Sequence, residues 1–130
     1  DPPAVSNLHE ILRTDFPDRV FRLEDTTHAW EIKALLAEAD GLVTARMHAA
    51  IAALGGGVAP LCLVYKGKFE GLMQHFELDG LCIDTQSLTR GADFADTLRE
   101  YTQRLPALSA QAKQRLPAVL ELSRRNFAAL

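Results

Sequence analysis

Leu42-Val43-Thr44-Ala45-Arg46-Met47-His48-Ala49-Ala50-Ile51-Ala52-Ala53-Leu54-Gly55-Gly56-Gly57 is the stretch whose reading decides the fold. Its first four residues read as a brief apolar strand. Arg46 to Leu54 reads as an Ala-rich apolar helix, closed by the three glycines. Leu61 to Val64 is a second buried strand, and Lys66-Gly67-Lys68 is a loop. A helix over 69–76 and a strand over 80–83 follow. Short apolar strands separated by helices predict a parallel sheet covered on both faces, because each crossover lays a helix on the sheet. The fold class is therefore α/β, a Rossmann-like parallel sheet with helices on both faces.

Outward from this centre the pattern continues. Pro2 and Pro3 lead into a helix in which Val5, Leu8, Ile11 and Leu12 recur at helical spacing. Asp15-Phe16-Pro17-Asp18 ends it. Arg19 to Leu23 reads as a short strand, which brings the expected strands to four. Thr26 or Thr27 is the expected cap of a helix carrying Trp30, Ile32, Leu35, Leu36 and Ala39. Two helices are expected at 92–105 and 107–128, with Pro106 starting the second and Pro117 kinking or splitting it. No linker divides the chain, so residues 1–130 read as a single α/β domain. A doubly wound domain normally begins with a strand, and this chain begins with a helix. The expectation is a C-terminal piece of a larger two-domain protein.

Composition narrows the function. The chain has 130 residues, of which 48% are hydrophobic and 24% charged, values of an ordinary globular domain. No apolar run approaches the ~20 residues of a membrane helix. Only Cys62 and Cys82 are present, so a disulfide framework is excluded. Residues 1–98 hold eight basic and fifteen acidic side chains, while 99–130 hold six basic and two acidic. An acidic body argues against a nucleic-acid partner, which needs a basic face. The basic end reads as the polar face of a helix. Between Gly41 and Phe69 there is no Asp or Glu, but there are Arg46, Lys66 and Lys68. Such a local positive patch suits an anionic ligand.

The candidate site lies where Thr44-Ala45 passes into Arg46-Met47-His48. Ligands of open α/β sheets bind at the C-terminal ends of strands. The free N–H groups and dipole of a helix start favour an anion there. Arg46 adds a planar fork suited to carboxylate or phosphate, and His48 adds a titrating group in the first turn. The next strand ends in Tyr65, with Lys66 and Lys68 after it. If the two strands are neighbours, Arg46, His48, Tyr65 and Lys68 converge on one cleft for a small anion.

Other motifs are weaker. Gly55-Gly56-Gly57 follows a helix and precedes a strand, the reverse of a phosphate loop, so it reads as a helix cap and turn. His9, His28, His48 and His75 are scattered, and no CxxC, HxxxH or HxH spacing marks a metal site. The two cysteines read as buried, reduced thiols of a cytoplasmic protein. No GxSxG elbow supports a serine nucleophile.

The segment Ala39 to Leu54, with Tyr65-Lys66-Gly67-Lys68 and Gly71-Leu72, resembles the polysaccharide pyruvyl transferase family. Family members show an Ala-Asp, a short apolar strand, Arg-Leu-His, an Ala-rich helix and, after a further strand, Tyr-x-x-Lys. The resemblance implies a fold of two Rossmann-like halves of the GT-B glycosyltransferase type, with this chain as most of the C-terminal half. It implies transfer of pyruvate from phosphoenolpyruvate to a saccharide acceptor as a ketal, with release of phosphate. By position, Arg46 and His48 would contact phosphoenolpyruvate, Met47 would offer its backbone, and Lys68 matches the family lysine. His48 is the expected acid. No cofactor is called for beyond the donor substrate. Met47 replaces the usual Leu, and the family's turn proline aligns with Ala59, one residue before Pro60. The acceptor and any catalytic base would sit largely on an N-terminal half, so the isolated chain is expected to be inactive.

Two other readings remain open at this point. One is the nucleotide-sugar half of a glycosyltransferase or epimerase, with Glu70 on the ribose. The other is a non-enzymatic interaction module, in which Phe127 to Leu130 docks on another half or on a second copy of the chain.

Overall fold

Among the described residues three strands form, and they lie side by side. The computed structural model describes residues 2–23, 28–65, 67–88 and 90–128. Its elements are α1 (Pro2–Asp15), α2 (Ala29–Ala37), β1 (Leu42–Thr44), α3 (Met47–Gly55), β2 (Pro60–Val64), α4 (Glu70–His75), a 3-10 turn (Asp79–Leu81), β3 (Cys82–Asp84) and α5 (Gly91–Ala128). The sheet order is β1-β2-β3. Both pairings are parallel, with Thr44 opposite Cys62 and Val64 opposite Asp84. The class is α/β and Rossmann-like, as the alternation of apolar runs requires.

Central β2 is the most buried strand, with Leu61 and Cys62 inaccessible. It is flanked on both edges, which is why Pro60 to Val64 reads as a continuous apolar run. Ala50 and Leu54 of α3, Phe69, Met73 and Phe76 in and beside α4, and Tyr101, Leu108 and Ala112 of α5 complete one core. The turn after α3 is a Schellman cap. Gly57 N–H donates to the Leu54 carbonyl at 3.0 Å and Val58 N–H to the Ala53 carbonyl at 2.9 Å. Gly57 has φ +79°, a conformation that L side chains rarely adopt. A Cβ on Gly56 would lie 2.7 Å from Ala37 Cβ of α2. The three glycines are thus a cap and a close helix contact, and not a phosphate loop.

Two expectations fail. Arg19 to Leu23 is not a strand: it is turn and irregular chain. Phe21 is 85% exposed. Among the described residues its apolar side chains have no strand to pair with, and a lone apolar run without a ladder does not hold β geometry. The two helices expected at 92–105 and 107–128 are one, α5, which runs through Pro106 and Pro117. Both prolines face solvent, as do Thr102 and Lys113 four residues before them. Water can satisfy the carbonyls that the prolines leave without a donor, while burial of Tyr101, Leu108 and Ala112 holds the other side. The expected cap at Thr26 or Thr27 lies outside the described residues. The residue that caps α2 is His28, whose N–H donates to the Glu31 carboxylate at 2.7 Å.

α5 lies against the N-terminal ends of β1 and β2. The buried Tyr101 hydroxyl donates to the Ala59 carbonyl at 2.6 Å and accepts from Leu42 N–H at 3.0 Å. Burial pushes this phenol above its ordinary value. The opposite, C-terminal edge of the sheet is left for the site.

Candidate functional site

β1 ends at Thr44, whose hydroxyl accepts the Arg46 N–H at 3.0 Å. This bond turns the chain out of the strand, so that Arg46 becomes the residue before α3, in extended conformation. Its backbone performs the structural task, and its side chain stays exposed. Helix geometry leaves the N–H groups of Met47, His48 and Ala49 without intrahelical partners. The first turn of α3 contains no acidic residue. The Met47 side chain packs against the core while its backbone remains at the helix start. A thioether fills the space a leucine would fill, which makes the Leu-to-Met departure a mild one.

β2 ends beside β1, as convergence required. A cleft of about 660 Å³ opens there, lined by Ala45, Arg46, Met47, His48, Ala49, Tyr65, Lys68 and Phe69. All five sequence-predicted site residues, Arg46, Met47, His48, Tyr65 and Lys68, line this one cleft. Lys66 lies outside the described residues. Among the described residues, no ion pair holds Arg46 or Lys68. Two uncommitted cations and a helix start therefore face one space, an arrangement that attracts an anion carrying more than one charge.

His9, His28 and His75 do not line the cleft. Among the described residues, no group of three or more His, Cys, Asp or Glu could hold a metal ion. Both cysteines are free thiols, although they are register partners. Burial, reinforced by the neighbouring Cys82, pushes the Cys62 thiol up to about 12. Burial, followed by the Glu70 and Asp79 carboxylates, raises Cys82. Neither is a nucleophile at neutral pH, since the thiolate is the reactive form.

Sequence reasoning missed a second, smaller cleft on the same edge, lined by Tyr65, Glu70, Asp84 and Gln86 among others. Asp84 and Gln86 belong to no motif. The signal that points to them is the rule that the ends of parallel strands carry ligands, applied to β3 as well as β1 and β2.

The fold and the cleft define a Rossmann-like α/β protein with a cleft lined by Arg46 and Lys68 at the C-terminal edge of its sheet. A family model described as polysaccharide pyruvyl transferase matches residues 2–67, half of the chain, and the chain belongs to that family. The matched span holds Arg46, Met47, His48 and Tyr65 and stops one residue before Lys68. Comparisons with curated proteins and with solved structures returned no match. Among the described residues, no helix is long and apolar enough to cross a membrane.

Proposed function

We propose that the larger cleft binds phosphoenolpyruvate, and that this chain is the donor-binding, C-terminal half of an enzyme that transfers pyruvate as a ketal to a sugar of a polysaccharide. The observation that carries the reading is the joint presence of Arg46, His48, Tyr65 and Lys68 around one cleft, in a chain of this family. Phosphoenolpyruvate carries a carboxylate and a phosphate on adjacent positions. Arg46 offers a fork for one of them, and Lys68 a point charge for the other. The N–H groups of Met47 and His48 supply further donors at the positive end of α3.

Ketal formation needs a proton at the methylene carbon while an acceptor hydroxyl oxygen bonds to the adjacent carbon. We assign the delivery of that proton to His48, which lines the cleft. A second hydroxyl of the same sugar then bonds to that carbon as its bond to the phosphate oxygen breaks. Of the two protons the hydroxyls release, one restores the acid and the other leaves with the departing phosphate. Whichever of Arg46 and Lys68 holds the phosphate offsets the charge that builds on it as it leaves. Free thiols at Cys62 and Cys82 fit a reducing compartment, and we place the reaction in the cytoplasm.

The test is a titration of the chain with phosphoenolpyruvate, followed through the His48 ring signals by NMR, with UDP and inorganic phosphate as controls. Saturable shifts of the His48 signals by phosphoenolpyruvate, larger than those from either control at equal concentration, are expected. Binding of UDP without phosphoenolpyruvate would overturn the reading in favour of a sugar-nucleotide enzyme.

A further inference from the structure

Tyr65 stands between two clefts. One side faces the cationic site, and the other borders a cavity of about 240 Å³ lined by Val64, Gly67, Glu70, Cys82, Asp84 and Gln86. The walls of this second cavity are tied down. Thr85 donates to the Val64 carbonyl through its N–H at 2.9 Å and its hydroxyl at 3.2 Å, which clamps the end of β3 to the end of β2. One Asp84 carboxylate oxygen accepts the Gln86 N–H at 2.9 Å, which fixes the turn. The Glu70 carboxylate lies over Gly67, about 3.5 Å from where a Cβ would stand. Tyr65 is 67% exposed and, among the described residues, stacks on no other ring. Among the described residues, neither Glu70 nor Asp84 is held by an ion pair.

The chemistry of this lining differs from that of its neighbour. Two carboxylates repel the anion that the first cleft attracts. Carboxylates accept from adjacent hydroxyls in pairs, and an amide both donates and accepts. An exposed phenol ring offers a flat apolar face with a polar tip. Acceptors, an amide and a ring face together suit a neutral polyol with one C–H face. The cavity lies below the ~300–1,000 Å³ of a site for a whole drug-sized ligand, so it accommodates one ring rather than a chain.

We propose that this second cleft holds one pyranose ring of the acceptor saccharide. Glu70, Asp84 and Gln86 take its hydroxyls, and Tyr65 covers its apolar face. The inference rests on the reading of the first cleft as the phosphoenolpyruvate site. Tyr65, shared by the two, then sets a sugar hydroxyl beside the bound anion. Part of the acceptor site thus belongs to this chain, where the sequence placed it largely on another half.

The experiment is an NMR titration of the chain, with phosphoenolpyruvate present, by the methyl pyranosides of glucose, galactose and mannose, and separately by magnesium chloride. At least one glycoside is expected to move the backbone amide signals of Tyr65, Gly67 and Gln86 saturably. In the double variant E70Q/D84N its dissociation constant is expected to rise tenfold or more. The amide introduced by D84N keeps an oxygen that can accept the Gln86 N–H, so the turn survives the change. If phosphoenolpyruvate moves His48 while no glycoside moves these amides, the acceptor cleft is refuted and the donor reading stands. If magnesium moves them and glycosides do not, the cleft is a cation site and the proposal falls. If glycosides act and phosphoenolpyruvate leaves His48 unmoved, the donor reading fails and the acceptor role falls with it, leaving a saccharide site of another kind.

Discussion

Replacement of Tyr101 by Phe removes one oxygen atom from the far side of the sheet, opposite the clefts. That oxygen holds two strands at once, through the Ala59 carbonyl and the Leu42 N–H. Ala59 is fully buried, so its carbonyl would lose this donor with no water to replace it. Leu42 is half-buried, and its N–H can recover part of the loss through hydration. An unsatisfied buried group costs ~1–3 kcal/mol. One such group plus a partial second puts the expected loss at about 2–3 kcal/mol. For a chain of this size that lowers Tm by roughly 6–12 °C. The assay is urea unfolding followed by circular dichroism, with the slope m compared between variants to show that the unfolded states match. A loss below about 0.5 kcal/mol at unchanged m would mean that water reaches this end of β1 and β2. The account of Tyr101 as the clamp of the two site-bearing strands would then be wrong.

Arg46→Ala is expected to weaken phosphoenolpyruvate binding by ~1–3 kcal/mol, the range of a charged hydrogen bond. Stability should change by less than about 0.5 kcal/mol, because only the backbone of Arg46 is engaged in the fold; calorimetric titration and thermal melts check the two halves of this statement. Pro106→Ala is expected to stabilise the chain by about 1–3 kcal/mol, since it restores an N–H inside a continuous α5. A neutral or destabilising result in urea unfolding would show that the helix breaks there. The contribution of Cys62 to stability should be level below about pH 9 and be lost as pH rises towards 12. Over that window the unfolded chain has already released the Cys62 proton while the folded chain still holds it. When unfolding free energy is measured against pH, Cys62→Ala should make this alkaline limb shallower without abolishing it, because Cys82 and Tyr101 are raised as well.

The elements legible from the sequence are those with a local cause. Apolar runs at Leu42 and Leu61, an Ala-rich stretch between them and glycines after it specify β1, α3 and β2 with little help from the rest of the chain. That the candidate residues would line one cleft was legible for the same reason. Arg46, Met47 and His48 sit on a strand-to-helix junction, and Tyr65 and Lys68 follow the next strand, so order along the chain already implied one edge. The readings that failed involve partners. Arg19 to Leu23 has the residues of a strand and, among the described residues, no strand to bond to. Pro106 and Pro117 carry the mark of helix ends, yet they face water on a helix whose other side is buried.

What the sequence determined by itself was secondary structure driven by local pattern, the cationic character of the segment from Gly41 to Phe69, and the motif by which the family is recognised. Only the tertiary structure decided that β1 and β2 are neighbours in register, that a phenol 59 residues from Leu42 clamps their far ends, and that Glu70, Asp84 and Gln86 meet at one edge beside Tyr65. The physical reason is that helix and turn preferences arise between residues a few positions apart. Strand pairing, burial of a proline-bearing helix and the meeting of side chains at a sheet edge depend on segments far apart in the chain, whose contacts no local pattern encodes.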